Sequence, residues 1–229
     1  MPEIIFNADD FGLSRGVNYG IIDSHLNGVV SAATMLVNAP ATKHAVELAK
    51  ANPSLRVGVH LALTIGRPIR KDVLSLLNED GAFRKQSDQR NEALINLDDV
   101  YREWSAQIEL FYSYGLTPSH LDSHHHMHGW SYLRPVIERL ADTYQLPWRN
   151  AFAVKPKGVS FLTDAFDARF YQAGVSEEML DQIIAEHNQV ETVEIMCHPA
   201  YIDLALKKQS SYVEKRVEET EVLTSYRLP

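Results

Sequence analysis

Glu3-Ile-Ile-Phe-Asn-Ala-Asp-Asp-Phe-Gly12 is the stretch on which the fold turns. Glu3 to Asn7 reads as a buried strand, and Asp9-Asp10-Phe11-Gly12 follows at its carboxyl end, the end on which βα barrels build their sites. Ser14 then N-caps a helix whose Val17, Ile21, Ile22 and His25 share one face, with Asn27-Gly28 as its stop and Val30 to Val37 as a second strand. Strand, polar turn, helix and strand together make one βα unit of a parallel sheet.

Outward from this unit the rhythm recurs. Pro40 takes the first position of a helix ending near Asn52-Pro53, and Arg56 to Leu63 is a third strand that contains His60. Thr64 to Leu97, rich in Gly, Pro, Asn and charge, is a long insertion or a lid. Asp98 caps a helix with Val100, Trp104, Ile108 and Phe111 at helical spacing, stopped by Gly115. Pro118 to His124 is the next strand and feeds a helix with Leu133, Val136, Ile137, Leu140 and Tyr144 on one side. Pro147 opens a further strand, and Lys155 to Gly174 takes no regular structure. Ser176 caps a helix with Met179, Leu180, Ile183 and Ile184, and Val190 to Cys197 is a last strand ending in His198-Pro199. The 229 residues suffice for one sizeable core, so a single α/β domain is expected, either a barrel or a doubly wound sheet.

Composition narrows the partners. An apolar share of 45% and a charged share of 23% are those of a globular chain rather than a disordered or coiled-coil one. Apolar runs such as Ala32 to Val37 fall far short of the roughly 20 residues of a membrane span. The start Met1-Pro-Glu-Ile lacks the basic region of a signal peptide. Cys197 is the one cysteine and rules out an internal disulfide, which suits a reducing cytoplasm. A formal charge of −8 with no block of Lys or Arg argues against nucleic acid and for a small or neutral substrate.

His120-Leu-Asp-Ser-His-His-His-Met-His128 is the densest chemistry in the chain, and seven of the ten histidines could face one pocket. In a strand alternate side chains share a face, so His120, Asp122 and His124 point one way, with His125, His126 and His128 on the turn. One reading is a solvated His-rich loop that binds metal adventitiously. The other is a catalytic centre, and His60 supports it. Alone, a histidine in Gly58-Val59-His60-Leu61 reads as a core residue; beside this cluster it reads as a ligand. A catalytic ion takes about three protein ligands and leaves a position for water, and Asp10, His60 and His124 supply a common set. Asp9, next door, is then free as a base toward that water. The plainer reading of Asp9-Asp10-Phe11-Gly12 is an Asx-capped turn. His198-Pro199 offers an imidazole suited to protonating a leaving group, or simply ends a strand before a proline-forced turn. Cys197 packs as a small hydrophobe. A two-metal phosphoesterase and a metal-binding protein without turnover are the rival readings; the spare carboxylate of Asp9 counts against the second.

Asn7-Ala-Asp-Asp-Phe-Gly-Leu-Ser14, Gly58-Val-His-Leu61, Pro118-Ser-His-Leu-Asp-Ser-His-His-His-Met-His128 and Glu194-Ile-Met-Cys-His-Pro-Ala200 resemble, in order, the signature blocks of the YdjC-like carbohydrate deacetylases. The likeness is greatest to the chitooligosaccharide deacetylases, and Asn18-Tyr-Gly-Ile-Ile22 and Glu221-Val-Leu-Thr-Ser225 add to it. The resemblance implies a modified, irregular TIM-like (β/α) barrel. It implies removal of acetyl groups from N-acetylglucosamine units of chitooligosaccharides, such as chitobiose or its 6-phosphate, with one divalent ion, Mg2+ or Zn2+. By position, Asp10, His60 and His124 match the metal ligands, Asp9 the general base and His198 the acid. Asp122 is placed to fix an imidazole tautomer or to make a structural hydrogen bond, and His120 and His125 to support the site or meet substrate. Trp130 and Trp148 either stack on sugar or pack in the core. A homodimer is the family-level expectation. Family members usually continue beyond the point matched by Pro229, so a C-terminus either shortened or incompletely represented is expected.

Overall fold

The computed structural model describes Met1–Leu228; Pro229, where the expected shortening falls, lies outside the described residues. The chain runs β1 (Glu3–Phe11), α1 (Arg15–Leu26), β2 (Val30–Met35), α2 (Thr42–Ala51), β3 (Arg56–Leu61), the one-turn α3 (Gln86–Gln89) and α4 (Leu97–Ser113). It continues through β4 (Leu121–Ser123), α5 (Arg134–Tyr144), β5 (Ala165–Asp167), α6 (Glu177–Glu186), β6 (Thr192–Cys197), α7 (Leu204–Gln209) and α8 (Glu214–Ser225). Every strand pair is parallel, in the order β4-β3-β2-β1-β6-β5. The sheet is a curled half-barrel flanked by helices, an α/β fold of the modified-barrel kind. No helix among the described residues is long and apolar enough to cross a membrane.

β1 is central and covered on both faces, which explains its near-continuous apolar sequence: Ile5, Phe6, Ala8 and Phe11 are all buried. At its carboxyl end the register with β2 shifts between Ala8 and Phe11, and Asp10 has a left-handed φ of 69°. In a regular strand Asp9 and Asp10 would point to opposite faces. The irregularity turns both carboxylates to the same side, the way a bulge re-aims a side chain. Gly12, at φ 100°, completes the turn, where a Cβ would stand 2.8 Å from the Leu36 carbonyl.

Ser14 and Ser176 cap α1 and α6 as their sequences predict, each accepting the N–H three residues on. Elsewhere local signals are displaced. α2 starts at Thr42 rather than at Pro40, and Asn96, not Asp98, caps α4. β4 is three residues long because His124 already leaves the strand. The strand expected at Pro147 reduces to isolated bridges from Trp148 to Leu121 and to Phe161. Those bridges carry the β4 edge around toward β5, which lies in the segment Lys155 to Gly174 that the sequence leaves unassigned. Thr64 to Leu97 lies along α4: Glu103 accepts the N–H groups of Ile69 and Arg70 at 2.9 Å each, and Asp99 accepts that of Ser75.

Candidate functional site

At the carboxyl ends of the strands lies a cavity of about 390 Å3. Asp9 and Asp10 from β1, His60 from β3, His124, His125 and His126 after β4 and His198 after β6 all line it. His125 and His126 have φ of 59° and 51°. This left-handed pair, costly for side chains bearing a Cβ, turns three successive imidazoles toward one space. Five of the seven expected histidines therefore meet there. His120 lies beneath, in the barrel interior, where Gly58 leaves it room: a Cβ on Gly58 would stand 2.8 Å from the His120 ring. His128 packs against Trp148 and Phe152 and bonds Ser123.

Two buried arginines organise the carboxylates, and neither was singled out in the sequence. Arg149 donates to both oxygens of Asp9 at 2.6 and 2.7 Å, to Glu194 at 2.8 Å, and stands 2.9 Å from Asp122. Arg216, on α8, donates to Asp10 Oδ2 at 2.6 Å. Burial alone would raise both aspartates. The Arg149 charge overrides it for Asp9 and the Arg216 charge for Asp10, and both are held below the usual carboxylate range. Glu194 sits on the far side of Arg149, and there burial wins, pushing its carboxyl up to about 7.

His60 is gripped from behind. Its Nδ1 lies 2.7 Å from Asp122 Oδ1, and Thr34 donates to Asp122 Oδ2 at 2.9 Å. Burial would lower this imidazole, but Asp122 outweighs it and the ring is pushed up to about 9. Burial instead takes His124 down to about 3 and His198, beside the Arg216 charge, down to about 4. Thr64 Oγ1 meets His124 Nδ1 at 2.9 Å and His125 Nδ1 at 3.0 Å.

Two sets of side chains bear on where a cation could sit, one compact and one more open. Asp9, His60 and Asp122 bring ligand atoms within 4.8 Å of one another. In that group, however, His60 Nδ1 and Asp122 Oδ1 already pair at 2.7 Å, and both Asp9 oxygens are occupied by Arg149. The second group has a free face. Asp10 Oδ1 is buried with no hydrogen-bond partner among the described residues, 3.6 Å from His60 Nε2 and 3.9 Å from His124 Nε2. Ligands bound to one ion at about 2.0–2.1 Å are roughly 3–3.5 Å apart, so the two distances from Asp10 Oδ1 are slightly longer than those of a closed shell, and the two imidazoles would draw in toward the ion. An orphaned buried carboxylate oxygen between two imidazole nitrogens is what a cation would satisfy.

Across the cavity stand Tyr171 and Tyr212, with Gln86, Ser210 and Ser211 at the rim. The aromatic walls are these tyrosines rather than the tryptophans: Trp148 is fully buried, and Trp130 lies under Arg90, outside the cavity.

The family model described as YdjC-like protein matches residues 3–229. The chain is similar to a carbohydrate deacetylase of Halalkalibacterium halodurans, 50% identical over 99% of this chain and 97% of that one. It is similar to another from Geobacillus stearothermophilus, 48% identical over 96% and 88%. Among solved structures, a protein of Enterococcus faecalis to which cellobiose-phosphate cleavage has been ascribed superposes with a TM-score of 0.92 at 40% identity, over 98% and 91% of the two chains. A lactam utilization protein from Thermus thermophilus shares the fold at a TM-score of 0.55 and 15% identity, over 97% and 94% of the two chains. The chain thus belongs to the YdjC-like protein family.

Proposed function

We propose that this protein is a metal-dependent carbohydrate deacetylase that removes acetyl groups from N-acetylglucosamine units of short chitooligosaccharides. The observation that carries the reading is Asp10 Oδ1, buried, without a partner among the described residues and near the Nε2 atoms of both His60 and His124. Asp10, His60 and His124 would hold one divalent ion. When bound, such an ion supplies Lewis acidity at a carbonyl oxygen and a water whose pKa falls toward roughly 7. Relatives named carbohydrate deacetylases at 50% and 48% identity support the substrate class.

The chain's own residues divide the proton work. Asp9 is kept ionised and oriented by Arg149, so it can take a proton at neutral pH, although the same guanidinium makes it a weak base. His198 relieves that weakness: its Nε2 stands 4.0 Å from Asp9 Oδ2, and its ring is neutral at rest. A proton taken by Asp9 passes to His198 Nε2 and from there to the departing amine. Tyr171 and Tyr212 offer flat faces to a pyranose ring.

The test is acetate release from N,N′-diacetylchitobiose and its 6-phosphate by protein stripped of metal and reloaded with Mg2+ or Zn2+. Acetate is expected from at least one substrate, and His60→Ala and His124→Ala should each lower bound metal. If neither substrate yields acetate with any metal while both variants keep their full metal content, the reading fails.

A further inference from the structure

Glu219 lies on α8, fully buried and outside the cavity lining. Its Oε2 accepts the backbone N–H of His198, and its Oε1 accepts the Tyr212 hydroxyl at 2.5 Å. The same Oε1 stands 4.0 Å from His198 Nδ1, a buried nitrogen with no hydrogen-bond partner among the described residues. On the opposite edge of the ring, Nε2 faces Asp9. Tyr171 and Tyr212 flank the imidazole at centroid distances of 5.4 and 5.8 Å and lie 4.3 Å from each other.

We propose that Glu219 is a positioning residue that fixes His198 with its proton on Nδ1 and the Nε2 lone pair turned to Asp9 and the cavity. A neutral imidazole must choose one nitrogen for its proton, and the neighbour of the other nitrogen decides which. Here two donors already aim at the two Glu219 oxygens, so its carboxyl group acts as an acceptor. An Nδ1 lone pair facing that acceptor would be repelled, whereas an Nδ1–H is attracted. A small ring rotation closes the 4.0 Å separation, as catalytic hydrogen bonds that are long without substrate tighten with it. Burial holds the His198 ring neutral, so the choice of tautomer is real at neutral pH. The use made of the Nε2 lone pair rests on the deacetylase reading; the surroundings of Nδ1 do not.

Long-range 1H–15N spectra of the metal-free protein report the tautomer directly, with the His198 signals assigned by their loss in His198→Gln. Wild type should show the Nδ1–H form. Glu219→Gln, whose amide can donate to Nδ1, should move the ring toward Nε2–H. In steady-state assays Glu219→Gln should lower kcat by about tenfold or more with KM little changed, and Glu219→Asp should recover part of it. A wild-type ring in the Nε2–H form overturns the proposal. A Glu219→Gln protein that keeps the wild-type tautomer, or the wild-type kcat, also overturns it. Should Glu219→Gln fail to fold, the wild-type spectrum still decides. Failure of the deacetylase reading looks different: wild type releases no acetate with any metal, and the spectra are unaffected.

Discussion

Arg149 contacts three buried carboxylates at once, those of Asp9, Asp122 and Glu194, and is itself fully buried. Removing one partner of a buried charge network leaves the others desolvated and unpaired, which costs about 3–5 kcal/mol. Arg149→Met should therefore lower the melting temperature by roughly 10 °C, given about 2–4 °C per kcal/mol for a chain of this size. Calorimetry checks it, and an unchanged melting temperature would mean that the carboxylates find other partners. Asp9, Asp10, His60, His124 and His198 were legible in the sequence as cavity residues because each is a ligand-type side chain at or just beyond the carboxyl end of a strand. Arg149 was not, since the residue before it bridges its neighbours singly and shows no strand periodicity. Arg216 and Glu219 sit in Glu214-Lys-Arg-Val-Glu-Glu-Thr-Glu221, which reads as a solvated face although both are buried. Glu194 did carry a signal: a carboxylate inside the apolar strand Thr192–Cys197 needs a buried cation.

At the scale of elements, α1 sets where His198 stands. Gly20 packs against the turn after β6, where a Cβ would lie 2.4 Å from the Ala200 Cα and 2.7 Å from its nitrogen. Ala would ordinarily favour a helix by about 0.5–1 kcal/mol over Gly, but a clash with backbone cannot relax as a side chain does, and overpacking typically costs about 1–3 kcal/mol. Gly20→Ala should thus lower both stability and kcat while bound metal stays at the wild-type level, because the His198 turn moves and the ligands on β1 and β3 do not. Thermal melts, metal analysis and acetate assays on one preparation test this; loss of metal would place the strain elsewhere. Helices with one apolar stripe, α1, α4, α5 and α6, were readable from periodicity. β5 and α8 were not. β5 is three residues long, and α8 buries Arg216, Glu219 and Thr220 alongside Leu223 in place of an apolar stripe.

For the molecule as a whole, the site puts opposed titrations into the core, and their balance fixes where the fold is most stable. Burial holds His120 and His198 at about 4 and His128 at about 3, against an ordinary value of 6.5. Above pH 6.5 these rings are neutral in both states and their contribution is complete. As pH falls from 6.5 toward 3–4 the unfolded chain takes up protons that the fold refuses, and stability is lost at roughly 1.4 kcal/mol per ring per pH unit. Glu194 opposes them. Burial lifts its carboxyl from 4.5 to about 7, so its contribution is full below pH 4.5 and is lost as pH rises from there through 7. The buried neutral rings outweigh this carboxyl between pH 5 and 6, and above pH 7 it is joined by His60, whose ring is pushed up to about 9 because Asp122 outweighs burial and whose contribution is likewise lost as pH rises. The melting temperature of chelator-treated protein should therefore peak between about pH 6 and 7 and fall on both sides. Glu194→Gln removes one of these two groups, so its alkaline fall should be shallower than that of wild type. A wild-type melting temperature that keeps rising from pH 6 to pH 8 would mean that Glu194 is ionised in the fold across that range, with Arg149 offsetting its burial, and that His60 is not held protonated there.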